Sequence, residues 1–224
     1  MKKLFAILLV LAAMVAFPGT TAAQFRVGVN GGASYNIYSM DKQYMTDYRF
    51  YGGWGATAGI MGQYNFTDWF GIRAELDWAQ RNYRHTRAVY EDKLDYRYCN
   101  NYLLVPVLAN FSFGGRLRGF VNLGCYGGYW LSSRRSGREY NFVSHTAYDF
   151  SQTIKFNPEK DQRADFGFAG GLGLEFLISA HWSVQAELRG YYSVVSSVKQ
   201  YMAHVQDYRY NTTAALQIGG AYSF

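Results

Sequence analysis

The chain of 224 residues predicts an all-β fold: eight antiparallel strands closed into an up-and-down transmembrane β-barrel. Three observations carry that reading. Segments of about a dozen residues alternate in polarity with period two, as a pleated strand does when successive side chains point to opposite faces. On several segments one face is aliphatic and flanked by Trp, while the other holds glycine and charge. The connections alternate long, short, long, short.

The first strand covers 25–37. Phe25, Val27, Val29, Ala33, Tyr35 and Ile37 share one face; Arg26, Gly28, Asn30, Gly32, Ser34 and Asn36 share the other. Residues 38–53 read as a loop rich in Tyr and charge. The second strand, 54–65, turns Trp54, Ala56, Ala58, Ile60 and Tyr64 outward, and Phe66-Thr67-Asp68-Trp69 is a short turn. The third, 70–83, sets Phe70, Ile72, Ala74, Leu76 and Trp78 against Arg73, Glu75, Asp77 and Arg81. Four charges on one face of an apolar strand do not fit a soluble core. They fit the interior of a small barrel, where charges pair.

Residues 84–98 read as a charged loop. The fourth strand, 101–113, is apolar on both faces, so its phase stays open, and Pro106 inside it predicts a bulge or kink. A tight turn at 114–117 leads to the fifth strand, 118–131, with Val121, Leu123, Cys125, Tyr129 and Leu131 in one phase. Residues 132–164 form the longest loop, which extends a hairpin beyond the membrane; Arg134, Arg135 and Arg138 lie close together in it. The sixth strand, 165–178, places Phe166, Phe168, Leu172, Leu174 and Phe176 opposite Asp165, Gly167, Ala169, Gly171, Gly173 and Glu175. After a turn at 179–181, the seventh strand, 182–193, turns Trp182, Val184, Ala186, Leu188 and Tyr192 outward and Gln185, Glu187, Arg189 and Tyr191 inward. Residues 194–210 are the last long loop. The eighth strand, 211–224, alternates Thr212, Ala214, Leu216, Ile218, Gly220, Tyr222 and Phe224 with small or polar residues. Ending on an aromatic edge, it needs a partner on both sides, and closure against the first strand supplies one.

Trp69 and Trp182 fall at the short-turn end, and Trp54, Trp78 and Trp130 at the long-loop end. Two aromatic girdles one strand apart suit lipid interfaces. A soluble eight-stranded barrel of the lipocalin kind is the alternative, but it would place the apolar face inside and the charges outside.

Residues 1–23 read as a signal peptide, with Lys2 and Lys3 before an apolar run too short to span a bilayer and Thr21-Ala22-Ala23 ahead of cleavage. The domain expected to remain is 24–224. Losing Lys2 and Lys3 leaves 20 basic residues against 16 acidic ones, a spread charge of +4 that makes no nucleic-acid face. Aromatic residues at 19%, 24 glycines and three prolines suit strands. Antiparallel pairing about the 114–117 turn sets Cys125 opposite Pro106 and keeps Cys99 roughly 20 Å away along the strand, so two free thiols are expected.

The last strand, ending Tyr222-Ser223-Phe224, resembles the closing strand of Gram-negative outer-membrane barrels. The resemblance implies that Tyr222 and Phe224 belong to a signal read by the barrel assembly machinery. Over 24–224 the chain resembles the PorT-like outer-membrane β-barrel family, close in architecture to the OmpX and OmpA barrels. The likeness lies in Arg73-Ala74-Glu75-Leu76, Leu104-Val105-Pro106-Val107-Leu108, the glycine-containing stretch 124–128, Gly170-Gly171-Leu172-Gly173-Leu174-Glu175 and Gly220-Ala221-Tyr222-Ser223-Phe224. It implies an outer-membrane location, long external loops, short periplasmic turns and a porin-like label.

An eight-stranded barrel is just wide enough for its own side chains. Arg73, Glu75, Asp77, Glu175, Glu187 and Arg189 pointing inward would pair and fill it, which argues for a plug and leaves a narrow channel for small solutes or ions as the alternative. His85, His145 and His204 fall on external loops with Asp92, Asp95, Asp149 and Asp207, and His181 on a periplasmic turn. No spacing joins them into a catalytic or metal site, so no enzyme, metal or cofactor is expected. Tyr38, Tyr44, Tyr48, Tyr51, Tyr90, Tyr96, Tyr98, Tyr140, Tyr148, Tyr201, Tyr208 and Tyr210 enrich the loops, and Tyr makes an effective contact surface for an extracellular ligand or protein. Arg134, Arg135 and Arg138 suit lipopolysaccharide phosphates at the rim. The expected partners are membrane lipid, lipopolysaccharide and the assembly machinery, for a monomer that binds no nucleic acid.

Overall fold

A computed structural model of the protein describes residues 24–40, 48–89, 92–141, 146–199 and 208–224. The expected signal peptide, 1–23, lies outside the described residues. Ten strands follow in order: β1 (Gln24–Met40), β2 (Tyr48–Asn65), β3 (Phe70–Gln80), β4 (Tyr83–Val89), β5 (Asp92–Gly114), β6 (Leu117–Asn141), β7 (Thr146–Thr153), β8 (Ala164–Leu177), β9 (Trp182–Ser193) and β10 (Arg209–Ser223).

They make one closed antiparallel ring with eight positions. β3 and β4 are two halves of one position, both lying between β2 and β5; β7 and β8 share another, both pairing β6. Closure comes from β1 against β10, from Arg26↔Ser223 to Met40↔Arg209.

The ring exists because the alternation is consistent strand after strand. Val29, Ile60, Leu76, Val105, Leu123, Leu172, Leu188, Leu216 and Ile218 all stand outward and exposed, an apolar band far larger than a soluble surface tolerates. The inward face carries the polar residues, and the buried apolar cluster inside is small: Ala79, Tyr102, Leu104, Leu108, Tyr126, Ala169 and Tyr191.

Aromatic side chains gird the turn end. Trp69 stacks near Phe111, and Trp182 meets Tyr222 edge-on at 5.1 Å. Tyr222 meets Phe224, which lies over Phe25 at 6.0 Å. Toward the long-loop end Trp54 is exposed against Tyr35, and Trp78 is exposed between Ala58 and Leu103. Trp130 departs from the expected girdle. It shares its phase with Tyr126 and Gly128, so it turns inward and stacks parallel on buried Tyr102 at 5.7 Å.

The structure lengthens the strands at the long-loop end. The described residues of 38–53 and 84–98 are strand, and those of 132–164 are largely so, because hairpins above the membrane have no aliphatic face and alternate Tyr with Arg, a pattern that reads as polar loop. The third strand is interrupted at Arg81 and Asn82. Asn100 stitches the gap, its side-chain amide donating to the Arg81 carbonyl at 3.1 Å while its backbone N–H donates to Asn82 Oδ1.

Pro106 makes no bulge. The β3–β5 register is the same on either side of it, Ala74↔Val107 and Asp77↔Leu104, so it removes a ladder donor without a shift. The bulge lies instead between Asn101 and Tyr102, where Leu131 is the extra residue opposite. Cys125 faces Val107, one residue from expectation, and Cys99 faces Arg134; both thiols are free. Gly114 closes the β5–β6 turn with φ +121°, a conformation that favours glycine.

Candidate functional site

Inside the barrel the charged side chains meet in three tiers. At the short-turn end Arg26 (β1) pairs with Glu175 (β8) and donates to Ser183 Oγ at 2.7 Å. The middle tier is the densest. Arg189 on β9 donates through Nη1 and Nη2 to Glu75 on β3, with Nη2 to Oε1 at 2.9 Å, and through Nε and Nη2 to Glu187 at 2.8 and 2.7 Å. Arg73 reaches Glu187 at 3.4 Å, Gln63 at 2.7 Å and Gln185 at 3.1 Å, and its guanidinium lies over the Phe120 ring. Asn122 donates to Glu187 at 3.0 Å.

Above it Arg81 pairs with Asp165, which also accepts from Tyr126 and Ser193. The Arg81 guanidinium sits about 5 Å from both the Tyr102 and the Tyr126 ring centres. Higher still, Asn36 donates to Asn211 Oδ1 at 3.1 Å and accepts from Thr213 Oγ1 at 2.7 Å.

All six residues expected to form the interior network, Arg73, Glu75, Asp77, Glu175, Glu187 and Arg189, point inward and are at most 4% exposed. Five share the middle tier; Glu175 belongs to the tier below. Three further buried charges, Arg26, Asp165 and Arg81, join them. Arg26 is the one charge of β1, Asp165 lies at the far end of its strand from Glu175, and Arg81 was visible on the inward face and stands where the third strand is interrupted. Tyr191 was expected on the inward face and lies there, whereas Tyr102 and Tyr126 were hidden as apolar residues.

Beyond the apolar band one side of the ring continues. The outer ends of β2, β5 and β6 rise with β4 and β7 into a sheet that stands above the mouth as a wall. Its inner face is a ladder of stacked rings. Tyr38, Tyr83 and Tyr98 stack at 4.2 and 4.6 Å; Phe50 lies flat on His85 at 4.6 Å. Farther along, Arg135 caps Tyr96 and Phe150 at 5.1 and 5.2 Å. The outer face carries arginine: Arg84 holds Asp95 through two hydrogen bonds, Arg138 holds Asp149 at 3.1 Å, and Arg97 and Arg134 are exposed. Of the three arginines expected to gather at the rim, Arg134 and Arg138 therefore face out and Arg135 faces in.

The Arg84 hydrogen bonds hold the Asp95 carboxyl below the usual carboxylate range. Burial and a hydrogen bond to Glu139 push Tyr96 up to about 12. Of the histidines, His85 is stacked in the wall and His181 bonds the Ser223 carbonyl at 2.9 Å; His145 and His204 lie outside the described residues. So do Tyr44, Tyr90, Tyr201 and Asp207.

A family model described as outer membrane protein beta-barrel domain matches residues 18–199. The chain belongs to this family. No curated protein matches it. Among solved structures it is similar to the outer membrane protein OprG from Pseudomonas aeruginosa, at 14% identity and a TM-score of 0.52, with 92% of this chain and 98% of that chain covered. It also aligns with Neisserial surface protein A at 13% identity, TM-score 0.44, covering 89% and 97%. Ail of Yersinia pestis, solved in complex with the heparin analogue sucrose octasulfate, aligns at 13% identity and TM-score 0.44, covering 91% and 100%. These likenesses concern the fold.

The protein is thus an outer membrane β-barrel. In such a barrel the short turns face the periplasm and the longer connections face out. The Arg26–Glu175 tier therefore lies at the periplasmic mouth, and the wall stands outside the cell. The closing strand of this outer membrane barrel ends on the periplasmic side, where the Phe224 N–H donates to the Phe25 carbonyl at 3.0 Å.

Proposed function

We propose that this barrel is closed and non-enzymatic, and that it serves to hold the wall at the cell surface as a contact platform. One observation carries the reading: the lumen is occupied by mutually bonded side chains at three successive levels, whereas the strands that outlast the lipid band present rings and arginines to the outside. Opposite charges that satisfy one another in a narrow interior leave no continuous water path.

The finer assignment follows the sequence likeness. The protein is a PorT-like, OmpX-like monomer, exported through a cleaved signal peptide at 1–23. It is inserted by the barrel assembly machinery through a signal that includes Tyr222 and Phe224, and it sits among lipid and lipopolysaccharide. Arg134 and Arg138 on the outward face suit lipopolysaccharide phosphates, and the tyrosines of the wall suit an extracellular ligand or protein.

The second reading is a narrow porin-like channel. It is favoured by the nature of the plug, which among the described residues is made of side chains alone, so that rotamer changes would open it. Single-channel conductance of the refolded barrel in a planar bilayer separates the two. A silent wild type, with leak appearing in a Glu75→Ala, Glu187→Ala variant, is the expected result. Stable, salt-dependent steps from the wild type would establish the channel.

A further inference from the structure

The middle tier is one positive charge short. Two guanidiniums, Arg73 and Arg189, face three carboxylates, Glu75, Asp77 and Glu187, all within 4% exposure. In the neighbouring tiers Arg81 is paired with Asp165 and Arg26 with Glu175, and Arg118, the register partner of Glu175, donates its Nε to the Gly115 carbonyl at the turn end, away from Asp77.

The shortfall has a location. Arg189 spends its donors on Glu75 and Glu187 and comes only within 3.9 Å of Asp77. Tyr191 donates to Asp77 Oδ2 at 3.3 Å. Asp77 Oδ1 is buried with no hydrogen-bond partner among the described residues, and so is Asn30 Oδ1.

These two acceptors belong to one row. Asn30 on β1 is the register partner of Gly59, and Gly59 is the register partner of Asp77 on β3. Both flanking side chains point inward, and glycine leaves the space between them open. Asp77 Oδ1 leans into that space so far that a Cβ on Gly59 would lie 1.8 Å from it. Turning the Asn30 amide round would give Asp77 Oδ1 a donor, but it would set the amide oxygen against Glu75 Oε2, where Nδ2 now donates at 3.4 Å, and would leave the charge shortfall as it is.

We propose that the gap over Gly59 is a proton-binding site: Asp77 is carried as the neutral acid, donating from Oδ1 to Asn30 Oδ1. One hydrogen then satisfies both oxygens and brings the tier to two positive and two negative charges. The proton is a structural member of the plug, and its loss in alkali puts an uncompensated charge into the lumen. The charged and titratable groups facing Asp77 are Glu75 and Arg73 on its own strand, Arg81 just past the end of that strand, and Glu187, Arg189 and Tyr191 on β9; β1, β2 and β5 contribute Asn30, Gly59 and Leu104, none of which titrates. This inference holds whether the lumen conducts or not.

Infrared spectroscopy of the refolded barrel in lipid vesicles at neutral pH tests it. Wild type should show the C=O stretch of a protonated carboxyl group. Asp77→Asn, which keeps a neutral donor at the position, should fold and lose the band, and Asp149→Asn on the wall should keep it. Glu187→Gln removes the excess negative charge, so Asp77 should ionise and the band should vanish with Asp77 still present. Three results would each overturn the proposal: a band that survives Asp77→Asn, an Asp77→Asn chain unable to fold, or a wild type without a band. The last is the outcome expected if a water or a sodium ion occupied the gap.

Discussion

Arg189 and Glu75 form a two-pronged pair across the barrel, from β9 to β3, with Nη2 2.9 Å from Oε1. Neither strand neighbours the other in the ring, so the pair ties opposite walls together. Arg189→Met keeps most of the volume and strands two buried carboxylates on Arg73 alone. The expected loss is about 3–5 kcal/mol in the urea unfolding of the barrel in vesicles. Adding Glu75→Gln should recover part of it, a coupling that a double-mutant cycle reads directly. Additive effects would mean that the pair does not act as a unit.

Gly59→Ala puts a methyl group where Asp77 Oδ1 and the Leu76 carbonyl already lie, at 1.8 and 2.8 Å. A forced shift of that kind costs about 1–3 kcal/mol. Gly115, at a turn where an added Cβ meets nothing within 4 Å, provides the contrast: Gly115→Ala should leave the unfolding midpoint nearly unchanged.

The thiols report topology. Cys125 is exposed on the lipid-facing wall between Val107 and Phe168, whereas Cys99 lies above the bulge, beside Arg134. A membrane-impermeant maleimide added to intact cells should label Cys99 and spare Cys125, and a lipid-soluble one should reach Cys125. Impermeant labelling of Cys125 would contradict the barrel's placement in the bilayer.

The Arg84–Asp95 pair gives the β4–β5 hairpin a pH dependence. Asp95 binds its proton less readily in the folded wall than in an open hairpin. The stabilisation is therefore present above the ordinary Asp range and disappears as pH falls through the lowered value. Both side chains are partly in water, so about 0.5 kcal/mol is at stake. The amide protection factors of β4 and β5, with the intrinsic pH dependence of exchange divided out, should fall in acid, and Asp95→Asn should abolish the change.

The lipid-facing half of this fold was open to reading because lipid imposes a strict rule. Val29, Ile60 and Leu76 must be apolar, their neighbours in sequence need not be, and the alternation fixes both strand and phase. Tyr83 to Val89 and Thr146 to Thr153 obey no such rule, since water bathes both faces of the wall, and the same strands there look like charged loop. Trp130 shows a second limit. Residue type suggested an interfacial ring, but phase decided, and the bulge at Leu131 then exchanges the faces, so that Ser133 points in where an even-numbered residue would be expected. The interior network was visible where several charges share one strand face, as at Arg73, Glu75 and Asp77. It was harder to see where a charge stands alone on its strand, as Arg26 does, or far along the strand from the next, as Asp165 does from Glu175, because pairing across the lumen depends on closure and leaves no trace in local spacing.

The wall rises from one side of the ring, and the β5–β6 ladder runs from its middle down to the periplasmic turn, Asp95↔Arg138 to Gly114↔Arg118. A pull on the wall along the strands therefore loads that seam in shear, across many hydrogen bonds at once, rather than peeling them one after another. The tether and its anchor are the same two strands. Tension applied at the cell surface is transmitted straight through the bilayer without crossing a flexible joint.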